Sequence, residues 1–306
     1  MFFAFGQNTQ TGKVQESPGG TGFFVARSSN LPRLHHIYGI SNAHVVQNNH
    51  LIRINTKGGG TRLFEEIIPA DWVSSEHEDL AAVDVTDYFE REDNDQWVDS
   101  FFWIHEQTFL TSDFVWSDHI GIGDETIMLG LFVDHSGGAT KNVPVGRFGT
   151  LAAMADPSTP VTLYKDDRYV RPAYLNDMRS RDGFSGSPVW VWGATHTDMS
   201  TWEGPGLYRE SLAHRSRAFL YLMGTHRGQF RETTMIDKRE TTGPLRGGDK
   251  IEIASAMTVV IPATEISELL DRPRLKDQRD ARDKREDRLE LSNRLCGLAK
   301  REETRD

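Results

Sequence analysis

The 306-residue chain has a single cysteine, Cys296, so no disulfide can form within it. That excludes the disulfide-stapled secreted scaffolds and points to a reducing compartment. Long apolar runs are also missing. Nothing approaches the stretch of about 18 apolar residues that a membrane-spanning helix needs. The opening Met-Phe-Phe-Ala-Phe is apolar but short, with no basic flank and no cleavage site, which argues against a signal peptide. Positive charge is scarce too: 35 Lys and Arg stand against 45 Asp and Glu, a net charge of −10. A nucleic-acid binder needs a basic face. The histidines His35, His36 and His50 lack metal-ligand spacing with a second cluster. The acidic stretch from Glu90 to Asp99 has no glycine and no bidentate glutamate at calcium-loop spacing. The expectation is a cytoplasmic protein with no cofactor, no metal, no nucleic acid and no membrane partner.

What is present is glycine-punctuated β structure. Gly20–Ala26, Ile37–Ser41, Leu51–Ile54, Leu63–Ile68, Thr126–Val133, Val145–Ala152, Pro188–Trp192, Ala218–Gly228 and Ile251–Ile261 read as strands, and Tyr174–Met178 leads into the turn at Ser185. Their close spacing, with little helix before residue 262, favours an all-β barrel or sandwich. Residues 1–18 read as an arm or a first edge strand. The aromatic-rich stretch from Trp97 to Trp116 reads as core or interface packing. Two polar segments, about 193–217 and 229–249, read as insertions. Pro262–Leu270 reads as a helix with Thr264 as its N-cap. Beyond Asp271 acidic and basic side chains balance, and pairs such as Asp280 and Lys284 support an exposed helix. Leu289, Leu291, Leu295 and Leu298 give it only a thin apolar stripe.

The chemistry centres on Arg181-Asp182-Gly183-Phe184-Ser185-Gly186-Ser187-Pro188. Glycines on both sides of Ser185 permit a tight, open turn, in which a hydroxyl and backbone N–H groups can meet one substrate. Taken alone, the stretch is equally an ordinary turn between strands. Two further residues stand at strand ends. His44 follows Ser41-Asn42-Ala43, and Asp79 heads the apolar run Leu80-Ala81-Ala82-Val83. Asp84, the rival carboxylate, lies within that run. Serine is a poor nucleophile at neutral pH and needs a base, and the base needs a carboxylate to fix its tautomer. His44, Asp79 and Ser185 supply the three in one of the chain orders in which such triads assemble.

With Gly20-Thr21-Gly22-Phe23-Phe24-Val25 and Gly224-Thr225-His226-Arg227-Gly228, these motifs make the chain resemble the trypsin-like (chymotrypsin-fold) serine peptidases over about residues 18–262. The bacterial branches, glutamyl-endopeptidase-like and heat-shock-peptidase-like, are the most similar. The resemblance implies two six-stranded antiparallel β-barrels with the active site between them. The first would cover residues 1–115, the second 116–262 with its insertions, and a C-terminal helix and charged helical tail 263–306. It implies catalytic His44, Asp79 and Ser185, an oxyanion hole from the N–H groups of Gly183 and Ser185, and peptide pairing along the strand edge Gly224–His226. In the glutamyl branch a histidine and a small hydroxyl residue at the positions of His226 and Ser180 help to bind an acidic side chain. Arg179, Arg181 and Arg227 would add positive charge. The expected activity is a serine endopeptidase acting on protein or peptide, with an acidic P1 preference and a regulatory partner reaching it through residues 271–306. The competing expectation is a peptide-binding or regulatory module of the same fold with negligible hydrolysis. The chain departs from the secreted members in carrying Phe184 where they carry aspartate, and in lacking an Ile-Val-Gly-Gly start, so activation by N-terminal cleavage is not expected. The 35 residues from His44 to Asp79 imply short loops in the first barrel.

Overall fold

The computed structural model describes residues 2–5, 18–31, 34–47, 49–56, 59–90, 103–117, 120–132, 141–163, 168–194, 218–235 and 250–303. Its first half is built from short strands with alternating or fully buried patterns. These are β1 (Phe2–Phe5), β2 (Pro18–Ser28), β3 (His35–Ser41), β4 (Leu51–Asn55), β5 (Thr61–Phe64), β6 (Val73–Ser74), β7 (Ala81–Asp84) and β8 (Ile104–His105). They form one eight-stranded sheet in the order β5-β4-β1-β2-β3-β7-β6, with β8 parallel to β2 at Val25 and Ala26. Where a six-stranded first barrel is expected, the described residues form an open sheet, since β5 and β6 end the path instead of joining. The N-terminal residues differ from expectation too. β1 is an inner strand, paired with β2 on one side and β4 on the other.

The second half closes. β9 (Glu125–Leu131), β10 (Pro144–Ala153), β11 (Tyr174–Asp177), β12 (Pro188–Ala194), β13 (Ala218–Met235) and β14 (Lys250–Pro262) make a six-stranded antiparallel barrel in the order β10-β11-β14-β13-β12-β9. In β9 Thr126, Met128 and Gly130 are buried, while Glu125 is exposed and Ile127 and Leu129 are half-buried, the period of two that a strand with one dry face requires. Closure gives every strand of the barrel a neighbour on both sides, though not along its whole length. Inside lie Met128, Leu151, Tyr174, Met178, Phe184, Val189, Val191, Met223 and Val260. Residues 229–235, expected in an insertion, extend β13, which pairs with β14 as far as Met235 opposite Lys250. The rest of the two expected insertions, residues 195–217 and 236–249, lies outside the described residues, as does the acidic loop beyond Glu90.

A second apolar cluster joins the halves. Phe23, Val25, Tyr38, Ile40, Leu80 and Ala82 of the open sheet side pack with Leu222 and Ile261 of the barrel. Helix α4 (Ala263–Leu270) adds Ala263, Ile266, Leu269 and Leu270, spaced to line one helical face. Its N-cap is Pro262 with no side-chain cap bond, so Thr264 does not cap it. Among the described residues the other α-helices are three short ones, α1 (Ala43–Val46), α2 (Thr86–Glu90) and α3 (Ser112–Ser117), and a long one, α5 (Pro273–Glu303). No described helix is long and apolar enough to cross a membrane. The near half of α5 docks on the open sheet. Leu275 is fully buried, Arg279 donates to Tyr38 Oη and the Leu270 carbonyl, and Arg282 pairs with Asp84 and Asp87. Asp283 holds buried His36 at 2.8 Å. This part of the tail is bound within the chain, and Asp84, the rival carboxylate, is committed to Arg282.

Candidate active site

β3 ends at Ser41, and the chain turns at once into the single helical turn α1 that carries His44. The turn is fixed from the Asp79 loop. Asn42 Nδ2 and the Ala43 amide both donate to the Asp79 carbonyl, at 2.8 and 3.3 Å. The Asp79 carboxylate returns the contact through both oxygens. Oδ1 accepts the His44 backbone N–H at 3.0 Å, and Oδ2 meets the imidazole Nδ1 at 2.6 Å. Asp79 is buried, while the His44 side chain is 51% exposed. A buried carboxylate on Nδ1 fixes the tautomer and leaves Nε2 as the basic nitrogen facing outward. Both residues sit in the segments expected from sequence, except that His44 lies in a helical turn after the strand and not at the strand end itself.

The buried surroundings of Asp79 were not foreseen. Arg227, expected to add charge to a substrate pocket, is buried with its Nε 3.9 Å from Asp79 Oδ2. Its Nη1 donates to the Tyr169 carbonyl at 3.0 Å, and its guanidinium lies 5.3 Å from the Tyr169 ring centroid. Glu78, next in the chain and 3% exposed, has its carboxyl pushed up to about 8. Burial is the main cause. The Glu265 charge adds to it, and Arg227 and Arg171 oppose it.

Ser185 sits where β2, the barrel and β13 meet. Gly183 and Gly186 hold φ of +95° and +83°, a region that side chains with a Cβ rarely adopt. A Cβ on Gly186 would lie 2.0 Å from the Thr21 carbonyl oxygen, so the glycine is required by space as well. The Gly186 amide donates to the His226 carbonyl at 3.0 Å, and the His226 amide to the Ser187 carbonyl at 2.8 Å. Phe184 is buried in the barrel core, with the Arg147 guanidinium 5.6 Å from its ring centroid. At the position where the sequence resemblance would lead one to expect an aspartate, the turn is anchored by this aromatic side chain. Among the described residues, the Gly183 and Ser185 amides have no backbone acceptor, and Ser185 Oγ makes no hydrogen bond to His44. Catalytic bonds of this kind often tighten only with substrate in place.

The expected specificity residues come together in part. Ser180 and His226 are both buried, with Ser180 Oγ 2.8 Å from His226 Nε2. Burial, with a smaller contribution from the His44 charge, pulls the His226 imidazole down to about 3. Gly224 and Thr225 are paired on both sides, to Val189 and Pro188 of β12 and to Pro262 and Ile261 of β14. They offer no edge to a peptide. Among the described residues, a side of β13 without a strand partner begins past His226, near the register shift between His226 and Gly228.

No protein family and no curated protein matches the chain. Solved structures similar to it include the following three. The HtrA-type protease AlgW with a decapeptide shows 15% identity and a TM-score of 0.41, covering 88% of this chain and 56% of that one. A mutant AlgW with a tripeptide shows 12% identity and a TM-score of 0.38, covering 79% and 57%. An inactive mutant of Rv3671c from M. tuberculosis H37Rv shows 14% identity and a TM-score of 0.38, covering 82% and 79%. The chain thus spans just over half the length of either AlgW structure. With a closed six-stranded barrel behind the Ser185 turn and a carboxylate-bound His44 beside the open sheet, the chain resembles the trypsin-like serine peptidases.

Proposed function

We propose that the protein is a serine endopeptidase that cleaves peptide bonds through an acyl-enzyme on Ser185. The observation that carries the reading is the two-point grip of Asp79 on His44, through Nδ1 at 2.6 Å and the backbone amide at 3.0 Å. Nothing in the packing of a short helical turn requires that grip, and it makes His44 an oriented base. In the proposed reaction His44 Nε2 removes the Ser185 proton as Oγ attacks the carbonyl carbon. The Gly183 and Ser185 amides stabilise the oxyanion, and His44 passes the proton to the leaving amine. Water, activated by the same imidazole, then hydrolyses the ester. Peptide would pair with β13 beyond His226.

The finer reading is an acidic P1 preference. Ser180 and His226 support it as adjacent hydrogen-bonding groups, but charge does not: His226 stays neutral at working pH and Arg227 faces Asp79. Any preference therefore rests on hydrogen bonds, with kcat/KM expected to favour Glu over Gln only modestly across matched peptides. The chain's single cysteine supports a cytoplasmic setting. A regulatory partner would act through the part of the tail past Asp283, because the near half is docked. The second reading is a peptide-binding module with negligible basal hydrolysis. The observation favouring it is that Ser185 Oγ and the half-exposed His44 make no hydrogen bond to each other.

Labelling by a fluorophosphonate separates the two. The endopeptidase reading expects labelling of the protein that is lost in both Ser185→Ala and His44→Ala, with peptide hydrolysis falling by about 10⁴-fold or more. A folded protein that never labels, yet binds peptides as well after Ser185→Ala, overturns it in favour of the binding module.

A further inference from the structure

Thr21 has no role in the chemistry above, yet more of the site hangs on it than on any other residue outside the triad. It is fully buried at the crossing of the two halves. Its amide donates to the Ser185 carbonyl at 2.8 Å. Its hydroxyl donates to the Gly183 carbonyl at 2.6 Å and accepts the Leu131 N–H of β9 at 3.0 Å. Its own carbonyl accepts from Ser41 Oγ at 2.7 Å. One residue of β2 is thereby tied to the Ser185 turn, to the barrel and to the last residue of the strand before His44.

The turn needs such an outside hold. Gly183 and Gly186 both lie at positive φ, and glycine peptides rotate at little steric cost. The N–H groups that would face an oxyanion belong to Gly183 and Ser185, and the carbonyls Thr21 grips belong to these same two residues. Fixing both carbonyls restricts ψ at both positions and so fixes the path between the two N–H donors. Donor placement matters, because an oxyanion is stabilised in proportion to how well the dipoles are aimed before it forms. We propose that Thr21 is a positioning residue that sets the oxyanion-binding turn and holds it in register with His44. The inference rests on the reading of Ser185 as nucleophile.

Thr21→Val keeps the shape and removes the hydroxyl, and Thr21→Ser keeps the hydroxyl and removes the methyl group. The test is steady-state hydrolysis of a peptide ester or amide by the full chain, beside the rate of fluorophosphonate labelling. The valine variant is expected to lose about 10- to 10²-fold in kcat, with KM within twofold, and to label correspondingly slowly. The serine variant is expected to recover most of both. A general loosening of the fold would raise KM as well and would not be rescued by serine. If Thr21→Val does not fold, Thr21→Ala adds no bulk and decides in the same way. Wild-type-like kcat in the hydroxyl-free variant, with an active wild type, overturns the role of Thr21 alone. A wild type that neither labels nor hydrolyses overturns the Ser185 reading, and this proposal with it.

Discussion

Glu78 is the residue whose burial is least expected, because it stands beside Asp79 with a second carboxylate, Glu265, acting on it, and only Arg227 and Arg171 in opposition. Its side-chain Oε1 has no hydrogen-bond partner. The unfolded chain releases this proton near 4.5, whereas the folded protein keeps it to about 8. Between those values the native state binds more protons than the unfolded one, so stability falls as pH rises. The slope approaches about 1.4 kcal/mol per pH unit at most. Glu78→Gln, which stays neutral, is expected to flatten that decline. Urea unfolding at pH 5 and pH 8 measures it, and an equal decline in the variant would show that Glu78 is not the group responsible.

At the scale of elements, the sequence displayed what local pattern controls and hid what pairing controls. β9 and the strand after Ser185 were legible because their inward residues recur every second position between glycines. The short Phe2–Phe5 run looked like an arm, since nothing in four residues reveals that β2 and β4 flank it. Residues 229–235 read as an insertion because Arg231, Glu232, Thr233 and Thr234 break any apolar alternation, although the backbone pairs with β14 from Gln229 to Met235 but for one register shift. The open end of the first sheet depends on strand register, which composition does not report. His44, Asp79 and the glycines around Ser185 could be found by residue type and order. Thr21 could not, since a threonine in a strand is ordinary until its four contacts are seen. Helix α5 was misjudged for the same reason. Its leucine stripe is thin, but it docks mostly by arginines reaching carbonyl and carboxylate oxygens around one buried leucine. Leu275→Ala should therefore cost about 2–5 kcal/mol by urea unfolding, in the range of a core leucine. A cost under about 0.5 kcal/mol, as for a solvated helix, would remove α5 from the fold's core.

For the molecule as a whole, the site lies at a junction that both sheets need. The cluster running from Phe23 and Tyr38 to Leu222, Ile261 and α4 belongs to neither sheet alone. Polar contacts reinforce it. Asn142, just before β10, takes the Arg53 Nε–H through Oδ1 and returns its own Nδ2–H to the Arg53 carbonyl, both at 2.8 Å and both buried. The Leu110 amide donates to the Leu222 carbonyl at 2.8 Å, fastening the segment between the sheets to β13. Separating the halves would expose this cluster and leave those buried polar groups to be resolvated together, so neither half gains by unfolding first. Unfolding in urea is accordingly expected as one transition, with midpoints that coincide for far-UV circular dichroism, tryptophan fluorescence and loss of Ser185 labelling. Asn142→Ala is expected to move all three midpoints down by the same amount, because it removes both of the hydrogen bonds between Asn142 and Arg53 at the shared boundary. Two separated transitions, or a variant that moves only one of them, would mean that the sheets are joined by contact without being stabilised by it. The catalytic geometry would then be set within the barrel alone.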